Sequence, residues 1–285
     1  MSNIKLLICC HKKSEVPTDD IYLPIHVGKK RNNIDLGIQT DCEVNGKECD
    51  NISDKNNIYC EMTAMYWAWK NITKLYPDIE YVGLCHYRRF YNANWSFLDK
   101  LKINLKKIKY TIASAAKHKI YGIEPLKNIN SVFEMEFQTS TRKLGSFVKK
   151  YDFVSTYPFT IINNTTEMFF QVIGRKYIEL MTEIIDEDYK EYSIFYHEQL
   201  NSNKLYAQNM VIMKTSILDE YCSFVFSVLE KHIKLTIEKG ICSDPFTELT
   251  YDRLSGYLSE VLTSTFVRYA IKKYNVGFTG KYFVE

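Results

Sequence analysis

The chain has 285 residues, 46% hydrophobic and 25% charged, the composition of an ordinary globular protein. Its formal charge of +3 is too small to argue for nucleic acid as a partner, and no apolar run reaches membrane-spanning length. The start, Met1-Ser2-Asn3-Ile4-Lys5, lacks a long apolar signal segment, so a cytoplasmic protein is expected; eight cysteines without a C-x-x-C pair read as buried thiols rather than a zinc or redox site.

Residues 4–10 (IKLLICC) read as a buried strand, with His11-Lys12-Lys13 at its carboxyl end. Residues 14–57 are polar and irregular, and Asp50-Asn51-Ile52-Ser53-Asp54-Lys55-Asn56-Asn57 is dense in turn and cap formers. So long a loop in a compact domain is usually functional. Residues 61–75 predict a helix from Met62, Met65, Trp69 and Ile72 at three- and four-residue intervals, ended by Pro77. Residues 81–85 predict a strand, giving the helix-then-strand unit of an α/β sheet.

Further strands are predicted at 152–155, halted by Pro158, and at 209–214. Helices are predicted at 163–188, 216–239 (bounded by Gly240) and 251–273, while 97–116 fits neither pattern. No repeat, low-complexity segment or clear domain boundary interrupts the chain. The basic stretch 100–119, KLKINLKKIKYTIASAAKHK, suits either an anionic membrane surface or a solvated face with buried aliphatic stems.

The strand at 81–85 runs into His86-Tyr87-Arg88-Arg89. Open α/β sheets bind ligands at the carboxyl ends of their strands, and paired guanidiniums suit phosphate. The cluster therefore reads as an anion site or, more simply, as a salt-bridged turn. No glycine-rich phosphate loop, G-x-S-x-G elbow or helical histidine pair is present. The acidic clusters at Asp19-Asp20, Asp186-Glu187-Asp188 and Asp219-Glu220 follow no convincing buried strand and read as surface acids.

Several blocks resemble the DUF4422 family, associated with glycosyl transfer in capsule, exopolysaccharide and O-antigen clusters. They are the first strand with His11-Lys12-Lys13; Val16 to Gly28; Asp50 to Asn56; Tyr59-Cys60-Glu61-x-Thr63-Ala64-x-Tyr66-Trp67-x-Trp69-Lys70-Asn71; Gly83 to Arg89; Asn209 to Lys214; Asp219 to Cys222; and Arg253-x-x-Gly256-Tyr257-Leu258-Ser259-Glu260. The match is poor over roughly 90–205. The resemblance implies a single GT-A-like α/β domain over 1–285: a Rossmann-like mixed sheet flanked by helices, with a helical C-terminal part. A nucleotide-sugar half would span about 1–90 and an acceptor half about 91–285.

In many such folds an Asp-x-Asp motif holds a divalent metal where this chain has His86-Tyr87-Arg88. The resemblance thus implies a metal-independent transferase with no cofactor. His86, Arg88 and Arg89 would stabilise the leaving diphosphate. His11, Lys12, Asn51, Ser53, Asn56, Glu61, Thr63, Tyr66 and Lys70 would border the nucleotide sugar, although Lys70 also reads as a solvated lysine. Asn209 and Arg253 would meet the sugar or acceptor. Glu260 would be the general base, or a helix salt-bridge partner of Arg253. The expected partners are a nucleotide-sugar donor, UDP-linked galactose or galactofuranose first among them, and a glycan or lipid-linked oligosaccharide acceptor, with peripheral membrane contact through 100–119. Two other readings stand beside this one: transfer of a phosphate-linked substituent to a glycan, and a catalytically inactive nucleotide- or glycan-binding module.

Overall fold

The structure, a computed structural model, describes residues 3–32, 34–96, 98–99, 101–103, 105, 122–242 and 252–285. Its main sheet starts from β1 (Ile4–Cys10), fully buried along its length. Parallel to β1 run β2 (Tyr22–His26) on one side and β6 (Tyr81–His86) on the other, and β3 (Gln39–Thr40) extends the β2 edge. Such a parallel strand is covered on both faces, which is why IKLLICC is apolar throughout. Beyond β6 lie β13 (Val211–Lys214), antiparallel to it, then β10 (Phe153–Thr156) and β14 (Val276–Val284), which is parallel to β10. β14 runs on to pair with β7 (Arg89–Asn92) and β9 (Leu126–Ile129). A short β4–β5 hairpin (Glu43–Val44, Lys47–Glu48) and a small sheet of β8 (Gly122–Ile123), β11 (Phe159–Ile161) and β12 (Lys204–Leu205) stand apart.

Helices pack on both faces. One face carries α2 (Met62–Leu75), α5 (Arg175–Asp188), α6 (Lys190–Leu200), α7 (Thr215–Glu238) and α8 (Leu254–Lys273), joined in one core with Leu7, Val82, Leu84 and Phe153. The other face carries α3 (Met135–Val148), whose Phe137, Leu144 and Val148 meet Leu6, Ile8 and Phe90. Each such side chain contributes about 1.5–3 kcal/mol of burial. The expected α/β fold, with a mixed central sheet, flanking helices and a helical C-terminal part, is what the structure has.

Three local expectations need correction. The helix expected over 163–188 is two, α4 (Thr165–Val172) and α5, because Gly174 takes φ 97° between them, a region open to glycine and closed to most other residues. The irregular 14–57 segment holds β2 and the short strands after it. α3, α6 and β14 went unread, and β14 is the longest of the described strands. The expected start of the last helix at 251, and most of the 97–116 and 100–119 stretches, lie outside the described residues.

The acidic clusters serve structure. Asp20 accepts from the buried Lys5 at 2.9 Å, Asp186 binds His197 and Ser193, and Asp219 accepts from Trp69 Nε1 at 2.8 Å. Glu220 accepts from Tyr269, Lys273 and Tyr274.

Candidate functional site

The carboxyl ends of β1, β2 and β6 open into a cleft of about 450 Å³. Cys9, His11, Val27, His86, Tyr87 and Arg89 form the sheet side. The opposite wall is α1 (Asn56–Tyr59) with Asn57, Cys60 and Glu61 and, just before α8, Asp252 and Arg253. Sequence stretches far apart therefore converge at the sheet edge where α/β folds take ligands.

Of the expected residues, His11, Asn56, Glu61, His86, Arg89 and Arg253 line this cleft together. His11 stacks edge-on against Tyr87 at 5.0 Å. Burial, then the charges of Lys12 and Arg253, press its pKa below the ordinary histidine value. His86 Nε2 lies 2.8 Å from the Gln208 carbonyl; a carbonyl only accepts, so that nitrogen carries a proton. Arg89 reaches the cleft with its Nε buried and without a hydrogen-bond partner, which is uncommon for a guanidinium nitrogen.

The other expected residues sit differently. Arg88 donates from Nε to the Val284 carbonyl at 2.8 Å and lies over the Phe283 ring. Lys12 lies over Tyr87. Ser53 is fully buried and its hydroxyl donates to Asp41 at 2.5 Å; the same carboxylate holds the Gly28 amide at 2.7 Å. Asn51 caps its own turn through Cys49 and Ser53. Thr63, also fully buried, bonds the Cys60 carbonyl and the Asn56 amide. Tyr66 donates to Asp50, and Lys70 packs on Trp69 at 3.1 Å. None of these seven is among the cleft's lining residues. Ser53 and Thr63 brace the wall that Asn56 presents.

Asn209, expected at the sugar, is fully buried, and its amide is spent inside the protein. Its Nδ2 donates to Glu61 Oε1 at 3.0 Å and to Ser259 at 2.9 Å, and Oδ1 accepts from Thr263 at 2.7 Å. Asn209 therefore fixes Glu61 against α8.

Behind the cleft lies a polar hub that sequence reasoning missed. Gln208 donates its side-chain amide to Glu124 at 2.8 Å and accepts from Lys281 at 3.1 Å. Lys281, 1% exposed, pairs with Glu124 at 2.5 Å. Burial lowers the Lys281 pKa. Burial would raise that of Glu124, but Lys281 and Gln208 outweigh it and hold the carboxyl below its ordinary value. No local pattern signals it, because its members lie far apart along the chain.

Glu260 faces this hub from α8. Burial, with the nearby Glu61 charge adding to it, pushes its carboxyl up to about 7, although a hydrogen bond from the Gln208 backbone opposes the rise. Its charged neighbours are Glu61, Lys281 and Glu124 rather than Arg253. The Cys9 and Cys60 thiols are pushed up by burial, Cys60 to about 12, so neither is a thiolate at neutral pH.

Backbone strain concentrates here. Of the five non-glycine residues at positive φ among those described, Cys60, Gln208, Asn209 and Arg253 all border the cleft or its hub, and Asn45 does not. Strain of this kind, on the order of 1–3 kcal/mol per residue, persists where the surroundings over-determine it, commonly at functional sites. Among the described residues no three histidine, cysteine or carboxylate side chains are grouped to hold a metal ion, and no helix is long and apolar enough to cross a membrane.

Comparison with curated proteins finds no match. Among solved structures the chain is similar to one described as "WbbM bifunctional glycosytransferase apo structure", with TM-score 0.75 and 22% identity, over 100% of this chain and 46% of that one. The chain thus spans less than half of that protein, and at this identity the likeness establishes the fold. The model of the family described as "Domain of unknown function (DUF4422)" matches residues 5–272, so the chain belongs to the DUF4422 family.

Proposed function

We propose that this protein is a glycosyltransferase that takes a sugar from a nucleotide-sugar donor, bound in the cleft at the carboxyl ends of β1, β2 and β6, and passes it to a glycan acceptor of a bacterial surface polysaccharide. The observation that carries the reading is the meeting of Arg89, Arg253, His11 and His86 in one cleft beside a carboxyl held near neutrality. The structural relative's description as a glycosyltransferase supports the same class. A uridine-linked donor carrying galactose or galactofuranose is the first to test.

Arg89 and Arg253 meet the diphosphate and stabilise the charge that builds on it as the sugar–phosphate bond breaks. Side chains supply this charge in place of a divalent metal, since β6 ends in His86 and arginines where carboxylate ligands would otherwise stand. Glu260 takes the proton of the acceptor hydroxyl while that oxygen bonds to the anomeric carbon. The departing diphosphate keeps the electron pair of the broken bond. A base is most effective with a pKa near the working pH, and Glu260 has one. Arg88, turned onto Phe283 and the Val284 carbonyl, supports the shape of the turn.

Thermal-shift titration with UDP in EDTA tests the donor site, because a ligand that binds the native state raises its apparent stability. The expected result is a shift in the wild type that is lost in Arg89→Ala and retained in Arg88→Ala. A shift that requires manganese, or one unaffected by Arg89→Ala, would refute the assignment.

A further inference from the structure

A row of aromatic rings leads away from the Glu260 hub. Trp95 meets Tyr157 at 6.3 Å, Tyr157 meets Phe278 at 6.1 Å, and Phe278 meets Tyr206 at 5.9 Å. The last two pairs are stacked, with 26° and 27° between planes, and the first is tilted by 38°. All four rings keep part of their surface accessible. They come from four separate places: the turn after β7, the β10–β11 link, β14, and the segment before β13.

The row is built into the frame. Tyr157 donates its amide to the Thr279 carbonyl at 2.8 Å. Trp95 lies flat on Gly280, where any Cβ would come within 1.9 Å of the indole. Tyr206 is held to α8 by Ser264, whose hydroxyl accepts its amide at 3.0 Å. Ser264 is one helical turn beyond Glu260, on the same side of α8. Two residues after Tyr206, Gln208 gives its backbone amide to Glu260.

At its far end the row opens into a second cleft, of about 530 Å³, where Trp95 meets the apolar Ile103 and Leu126 and the polar Asp99, Lys102, Lys127 and Asn128. Near Tyr157 the hydroxyls of Ser155, Thr156 and Thr160 are buried without a hydrogen-bond partner. Partly exposed aromatic rings beside polar side chains such as Asp99, Lys127 and Asn128 suit a ligand with an apolar face and many hydroxyls. Pyranose rings present such faces.

Building on the glycosyltransferase reading, we propose that Trp95, Tyr157, Phe278 and Tyr206 form the acceptor shelf, on which successive sugar rings of the glycan lie so that the terminal hydroxyl reaches Glu260. Ser264 and Gln208 tie the Tyr206 end of the shelf to the helix and backbone that hold Glu260, an arrangement that would set Glu260 between donor and acceptor. Specificity for the acceptor then resides in the polar rim around Trp95, within the part of the chain that resembles the family least.

Saturation-transfer NMR with methyl β-galactopyranoside, methyl α-glucopyranoside and methyl α-rhamnopyranoside tests the shelf. At least one should receive saturation from the wild type through its ring C–H protons. The signal should vanish in Trp95→Ala and in Tyr157→Ala and persist in Trp95→Phe, while each variant keeps the wild-type UDP thermal shift as a control for folding and donor binding. No signal with any glycoside, or signals that survive both alanine variants, would overturn the proposal. So would a uridine signal lost in the same variants, which would reassign the shelf to the donor's base. Failure of UDP to bind the wild type, with the glycoside signals behaving as expected, would remove the donor reading and leave the shelf standing.

Discussion

Replacing Glu260 by glutamine tests whether its carboxyl is as costly to ionise as its surroundings imply. The side chain keeps its shape and an oxygen for the Gln208 amide, but loses its titration. The pKa rises from an ordinary 4.5 to about 7, and at 1.36 kcal/mol per pH unit that is about 3 kcal/mol of native-state stability. The sign follows from which state holds the proton. Below pH 4.5 both folded and unfolded carboxyls are protonated and nothing is lost. Between 4.5 and 7 the unfolded chain releases the proton while the folded one retains it, so stability falls as pH rises. Above 7 the loss is complete. Glu260→Gln should therefore match the wild type near pH 4.5 and exceed it by about 2–3 kcal/mol at pH 8. Urea unfolding at both pH values, with unchanged m-values, reads this directly. The same variant should lose sugar transfer while still binding UDP. A stability difference that does not change with pH would refute the reasoning.

Three further outcomes follow from other parts of the molecule. Lys281→Met strands Glu124 in a buried site and should cost about 3–5 kcal/mol in urea unfolding; a cost under about 1 kcal/mol would mean the pair is not buried as described. His232, whose Nε2 lies 3.0 Å from the Tyr177 carbonyl, is lowered to about 4 by burial. The unfolded histidine takes up a proton below about 6.5 and the folded one only near 4, so stability is present above 6.5 and lost as pH falls toward 4. The measurement is the stability of His232→Gln against pH, which should be flatter than the wild type's by about 3 kcal/mol over that range. Asn209→Ala frees Glu61 and removes one hydrogen bond each from Ser259 and Thr263, which keep the Gly256 carbonyl and the Tyr221 hydroxyl; it should destabilise by about 1–3 kcal/mol and lower turnover more than UDP affinity, as paired unfolding and kinetic measurements would show.

What the sequence disclosed depended on how local the signal was. The strands at 4–10 and 81–85 announced themselves because parallel strands buried on both faces are apolar throughout. His11 and His86 could be placed at the same sheet edge for that reason alone. β14 stayed hidden because two glycines and a lysine break its pattern, and each is explained only by a distant partner: Tyr151 over Gly277, Trp95 over Gly280, Glu124 with Lys281. The hub around Gln208 was likewise beyond reach, since its members lie at 124, 208, 260 and 281 and meet only in three dimensions. Adjacent residues also part company. Arg88 and Arg89 both pass over the Phe283 ring, at 4.5 and 5.3 Å, yet Arg88, in the turn, spends its Nε on the Val284 carbonyl, while Arg89, the first residue of β7, reaches the cleft. Ser53, Thr63 and Asn209 carry hydroxyls and amides suited to a ligand, but burial spends them on the scaffold.

The central claim is that this cleft activates a sugar nucleotide through its own cationic side chains. The most direct measurement is UDP release from a panel of UDP-sugars by the purified protein in EDTA, wild type beside Arg89→Ala. The account predicts that the wild type turns over one donor and that Arg89→Ala loses this activity. Release of UDP only after manganese is added, or equal release by both proteins, would contradict it.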